Sequence, residues 1–126
     1  MPFTVEARTA ERLVYVTHRG KLTLEEARAA QDEAAGLLRA HGLRGVLLDL
    51  SAAEAVERDS TLYIFELAVS AAERLPPGTR IAAVVRPQRL KPPLSRFAED
   101  ATANRGLALA WFTEHEPALA WLAQSA

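Results

Sequence analysis

The chain has 126 residues, a formal net charge of −1 and no cysteine. That length fits one domain, 1–126, able to bury a core of its own. The missing cysteines exclude disulfides, thiolate zinc sites and thiol nucleophiles, and the near-zero charge makes no case for a nucleic-acid partner. Met1-Pro2-Phe3-Thr4-Val5-Glu6 has neither the basic start nor the apolar stretch of a signal peptide. No apolar run reaches the roughly 20 residues of a membrane span, so the expected location is the cytoplasm.

Residues 3–7 alternate in polarity and predict a short strand, and Arg12–His18 predict a stronger one, ended by Gly20. Arg8 to Glu11 is short enough for a hairpin turn. Thr23-Leu24-Glu25-Glu26 reads as a capping box that opens a helix over 24–41. Ala27, Ala30, Ala34, Leu37 and Leu38 follow at helical spacing, and Gly42 stands where a terminal glycine belongs.

Gly45–Leu50 is a nearly continuous apolar run, the pattern of a strand buried on both faces. Ser51 to Arg58 reads as a connection. A second helix spans 60–75, capped by Asp59 or Ser60 and stopped by Pro76-Pro77-Gly78. Arg80–Val85 is another buried strand. A basic loop carries Arg86, Arg89 and Lys91, and a third helix covers 93–104. Leu107–Phe112 is the last strand. Thr113-Glu114-His115-Glu116 predicts a second capping box, with Pro117 in the first turn of the final helix.

The order ββαβαβαβα predicts an α/β domain. It has a five-stranded, mostly parallel sheet, an antiparallel edge strand and four helices placed on both faces.

Chemistry-bearing motifs are few. His18, His41 and His115 share no metal-binding spacing, and no GxxxxGK[ST], GxGxxG or GxSxG motif occurs. No cofactor and no metal are expected, and the chain does not read as an enzyme. Asp49 and Ser51 end a buried strand, where open α/β sheets bind ligands; capping the sheet and starting a turn are their structural uses. Asp59-Ser60-Thr61 opens a helix, either as an anion or phosphorylation site or as a plain cap. Arg86, Arg89 and Lys91 would attract a phosphate or an acidic partner, or simply remain solvated.

Charge is uneven. Residues 21–75 hold six basic and ten acidic side chains, and residues 76–106 hold six basic and two acidic ones. The second helix is apolar well beyond one stripe, through Leu62, Phe65 and Val69 among others. The excess calls for a neighbouring helix, a second subunit in a homodimer, or an apolar ligand.

The strand Val46-Leu47-Leu48-Asp49-Leu50-Ser51, followed by Asp59-Ser60-Thr61-Leu62 at a helix start, resembles the STAS domain of anti-sigma factor antagonists. In that family an Asp-Leu-Ser strand end precedes an Asp-Ser-Ser-Gly helix start, and the serine after the aspartate is phosphorylated. The resemblance makes Ser60 the matching position, although Thr61-Leu62 replace the second serine and the glycine. Gly20–Glu26 and the ending Trp111–Glu114 with Ala118–Leu122 are similar to the small SpoIIAA-like proteins, which have a CRAL-TRIO-like relationship. This resemblance implies a non-enzymatic regulatory module with a protein partner. The alternative is a carrier of a lipid or other apolar molecule, its acidic head at Arg86, Arg89 and Lys91. An enzyme acting on a phosphorylated metabolite through Asp49, Ser60 and the basic loop is the remaining reading.

Overall fold

The computed structural model describes residues 3–55, 61–89 and 92–124, with side chains given except at 55, 61–64, 89 and 92–94. The strands are β1 (Phe3–Arg8), β2 (Leu13–Leu22), β3 (Gly45–Ala55), β4 (Arg80–Val84) and β5 (Ala108–Phe112). The helices are α1 (Leu24–His41), α2 (Thr61–Arg74), α3 (Pro92–Ala103) and α4 (His115–Ala123), with a short 3-10 turn at Pro87–Arg89. The strands form one sheet in the order β1-β2-β3-β4-β5. β1 runs antiparallel to β2, and every other pair is parallel.

The sequential order decides where the helices go. Each right-handed crossover steps one strand in the same direction, so α1, α2 and α3 fall side by side on one face. After β5 no strand remains to be joined, and α4 folds back over β3, β4 and β5 on the opposite face. Helices thus cover both faces, as expected, but unevenly.

Strand alternation sorts the core into two layers. Val14, Val16, Val46 and Ile81 face α1–α3 and pack with Ala30, Ala34, Leu38, Ala71 and Leu75. Leu13, Leu47, Ala82 and Val84 face α4 and meet Ala118 and Leu122. Leu38 and Leu47 are fully buried, and each burial contributes about 2 kcal/mol. α4 meets β2 at Leu13 and leaves the rest of the β1–β2 face to other groups. That part of the second face carries a polar set instead, with the Arg8 guanidinium 3.7 Å over the Tyr15 ring and the Tyr15 hydroxyl donating to Glu11 at 2.8 Å.

Local signals explain the first helix. The Glu26 amide donates to Thr23 Oγ1 at 3.1 Å, while Glu26 Oε2 is buried without a partner, so only half of the capping box forms. Leu43 N donates to Leu38 O at 2.9 Å across Gly42, which closes the helix.

Three boundaries differ from the sequence reading. β2 continues through Gly20, which takes a φ of 68° inside the strand and is followed by paired residues up to Leu22. Its partner β3 continues past Leu50, so 51–55 are strand rather than connection. Among the described residues the two extensions pair only with each other, Arg19 with Ala52 through Leu22 with Ala55. At the last helix the cap is Glu114, with no side-chain hydrogen bond, so the Thr113 box does not form. Pro117 still falls in the first turn, where helical amides lack partners in any case.

Candidate functional site

Asp49 and Ser51 sit at a bulge. The β2 partners Thr17 and Arg19 are two residues apart, but their β3 partners Asp49 and Ala52 are three apart. A bulge takes one amide out of the ladder, and that amide needs another acceptor. Asp49 Oδ1 supplies it, accepting from Ser51 N at 2.9 Å and from Ser51 Oγ at 2.6 Å. The other oxygen, Oδ2, lies 3.1 Å from His115 Nε2 at the start of α4. One carboxylate therefore holds the bulge and tethers the last helix.

The electrostatics agree. Burial alone would raise the Asp49 pKa, but the hydroxyl and amide of Ser51, and then His115, outweigh it and hold the carboxyl below its ordinary value. The chemistry open to this trio is limited. In a hydrolytic triad the imidazole bridges nucleophile and acid. Here the carboxylate is in the middle and the serine hydroxyl donates to it, so the order of the three groups is not that of a triad. Among the described residues no three His, Cys, Asp or Glu side chains could hold a metal ion together.

Of the three basic-loop cations, Arg86 has a described side chain, and it lies near this strand. Arg86 reaches back to it, with Nη2 donating to Ala53 O at 3.1 Å. Arg89 closes the 3-10 turn, but its side chain is outside the described ones, and Lys91 and Ser60 lie outside the described residues altogether. His115 is the member that sequence reasoning missed. It is 66 residues from Asp49, and only the return of α4 across the sheet brings them together.

The apolar excess of α2 finds its cover in neighbouring helices. α2 lies between α1 and α3, with Ala68, Ala71 and Leu75 buried and Leu67, Val69 and Ala72 half-buried. Ser70 Oγ donates to Gln31 Oε1 at 2.6 Å, and Arg74 Nε stands 3.2 Å from Asp32 Oδ1, so both flank α1. Phe65 is 38% exposed, the single exposed large apolar side chain among the described residues. The Arg105 guanidinium lies 4.8 Å from its ring. The Leu62 side chain is outside the described ones.

Beneath α2 a cavity of about 130 Å³ separates the helices from the sheet.

The solved structures contain a relative in shape. A crystal structure of an anti-sigma factor antagonist from Mycobacterium paratuberculosis superposes with a TM-score of 0.62 and 21% identity, over 97% of this chain and 93% of that one. This chain has the anti-sigma factor antagonist fold. No family model matches the sequence, and no curated protein matches it.

Within that fold, the Asp-Leu-Ser strand end that carried the STAS resemblance is the bulge held by Asp49. The lipid-carrier expectation gains no support. The cavity is below the roughly 300 Å³ at which pockets for drug-sized ligands begin, and no acidic-head site is assembled among the described residues, where Arg86 is engaged by Ala53. No helix among the described residues is long and apolar enough to cross a membrane.

Proposed function

We propose that this protein is a cytoplasmic, non-enzymatic regulator that acts through protein–protein contacts. The observation that carries this reading is the correspondence of fold with an anti-sigma factor antagonist over nearly the whole of both chains. The internal use of Asp49 and Ser51 fits it, because their polar atoms are engaged in holding a bulge.

The docking face is the outer side of α2, where Phe65 stands exposed and Val69 follows one turn later. An exposed aromatic beside an arginine is the composition of an interface anchor. Leu62 belongs to the same helix. Ser60, just before α2, is the proposed phosphoacceptor, since a phosphate there would change the charge next to this face. Arg86, Arg89 and Lys91 would offer that region cations for an acidic partner. A second copy of the chain is the competing occupant of the α2 face.

The test is to mix the purified protein with the anti-sigma factor of the same organism and determine the mass of the complex by light scattering. Phe65→Asp is expected to keep the wild-type circular dichroism and to lose the complex. A Phe65→Asp complex as strong as wild type sinks the assignment of this face. A stable dimer of the protein alone, dissociated by the same change, assigns the face to self-association instead.

A further inference from the structure

The cavity under α2 follows from the packing. α1 and α3 approach the sheet closely, whereas α2 packs on those two helices and stands off the strands below. Many of the helix side chains facing the gap are short. Ala27, Ala30, Ala34, Ala68, Ala71 and Ala98 line it from the helices, and Ala83 lines it from β4. The remaining wall is almost wholly apolar.

One polar group in that wall is unsatisfied. His18 lies at the shift of register between β2 and β3, is 3% exposed and lines the cavity. Its Nδ1 is buried with no hydrogen-bond partner. Other polar groups of the wall are engaged: Trp111 Nε1 donates to Ser95 O at 3.1 Å, Thr102 Oγ1 donates to Ala98 O at 2.9 Å, and Gln31 Oε1 accepts from Ser70. Burial lowers the His18 pKa, so the imidazole is neutral at neutral pH. A buried imidazole nitrogen without a partner is unfavourable, and native structures rarely keep one empty-handed. A water molecule is a poor occupant, because it needs two to four polar partners and this wall offers few.

We infer that the cavity under α2 is a binding site for a small, uncharged aromatic molecule bearing one hydroxyl group, held by the apolar wall and by a hydrogen bond to His18 Nδ1. The size fits. A dry apolar cavity of roughly 150 Å³ accepts benzene, and this one measures about 130 Å³. A charged ligand is disfavoured by the apolar wall, which offers no counter-ion among the described residues. A neutral imidazole nitrogen donates or accepts according to tautomer, and a hydroxyl can answer either role. This inference goes beyond the regulatory reading and is independent of it, since it concerns the inner side of α2 and not the outer face.

The experiment titrates the full chain with 4-methylphenol and, separately, with toluene. Binding is followed through the indole Nε1 resonance of Trp111, which lines the cavity. Saturable binding of both is expected, with 4-methylphenol the tighter by about tenfold, the worth of one hydrogen bond. In His18→Leu that preference should vanish while toluene still binds. Ala71→Leu, which fills the cavity, should abolish both. If Ala71→Leu does not fold, crystals of the wild type under xenon pressure take its place, with xenon expected beneath α2. No saturable shift of Trp111 with either probe overturns the proposal. So does binding that survives Ala71→Leu, a preference for the phenol that survives His18→Leu, or a xenon-free cavity.

Discussion

Replacing Asp49 by alanine removes three contacts at once. Oδ1 loses the Ser51 amide at 2.9 Å and the Ser51 hydroxyl at 2.6 Å, and Oδ2 loses His115 at 3.1 Å. Hydrogen bonds to a charged group contribute roughly 1.5–3 kcal/mol each when well buried. The Asp49 side chain is 18% exposed and His115 is half-exposed, so water replaces part of what is lost. The expected net loss is about 2 kcal/mol, most of it from the bulge amide left without an acceptor. With unfolding entropy near 2.1 cal/mol/K per residue over 126 residues, that loss lowers Tm by roughly 8 °C. Asp49→Asn keeps an acceptor oxygen but not the charge, and should lose about half as much.

The pH dependence has a definite sign. Asp49 titrates below its ordinary value of 3.8 in the folded protein. Its carboxylate therefore stabilises the fold fully above that ordinary value, and the stabilisation is lost as pH falls through the lowered folded value. Urea unfolding of wild type and Asp49→Asn, at neutral pH and again below about pH 3, measures both effects. The gap between the two proteins should be present at neutral pH and shrink in acid. An alanine variant within about 0.5 kcal/mol of wild type, or a gap that does not change with pH, refutes the anchoring role.

Other outcomes follow from the same geometry. Gly42 has a φ of 62°, so Gly42→Ala should destabilise by about 1 kcal/mol. Gly36 is exposed within α1, with open space where a Cβ would sit, so Gly36→Ala should stabilise by roughly 0.5–1 kcal/mol; parallel urea titrations compare the pair. Arg80 lies 4.0 Å over the Trp121 ring and donates to Trp121 O at 2.9 Å. Arg80→Met should destabilise by about 1–2 kcal/mol and shift Trp121 fluorescence to the red, as α4 loosens on the sheet.

What the sequence revealed and what it hid divide along a physical line. α1 was legible at both ends because Thr23 and Gly42 act on their own neighbours. The antiparallel edge was legible because Arg8 to Glu11 is too short for a crossover. The extension of β3 was hidden, since Ala52-Ala53-Glu54-Ala55 has little strand preference of its own and is held by pairing with Arg19–Leu22. His115 was hidden for the same reason: its link to Asp49 exists only once α4 crosses the sheet. Asp49 and Ser51 were singled out as a pair, and their mutual bonds give that pairing a structural cause. The cavity left no motif, because alanines at helical spacing mark a buried face but not how far the helix stands from the sheet. The apolar breadth of α2 was plain in the sequence, yet its cover by α1 and α3 depends on strand order.

The decisive measurement is amide hydrogen exchange of the protein alone and in the presence of the anti-sigma factor of the same organism. Protection is expected along α2, centred on the turns carrying Phe65 and Val69, and should be absent with Phe65→Asp. Unchanged exchange throughout, or protection confined to α4 and the β1–β2 face, contradicts a regulator that docks through α2.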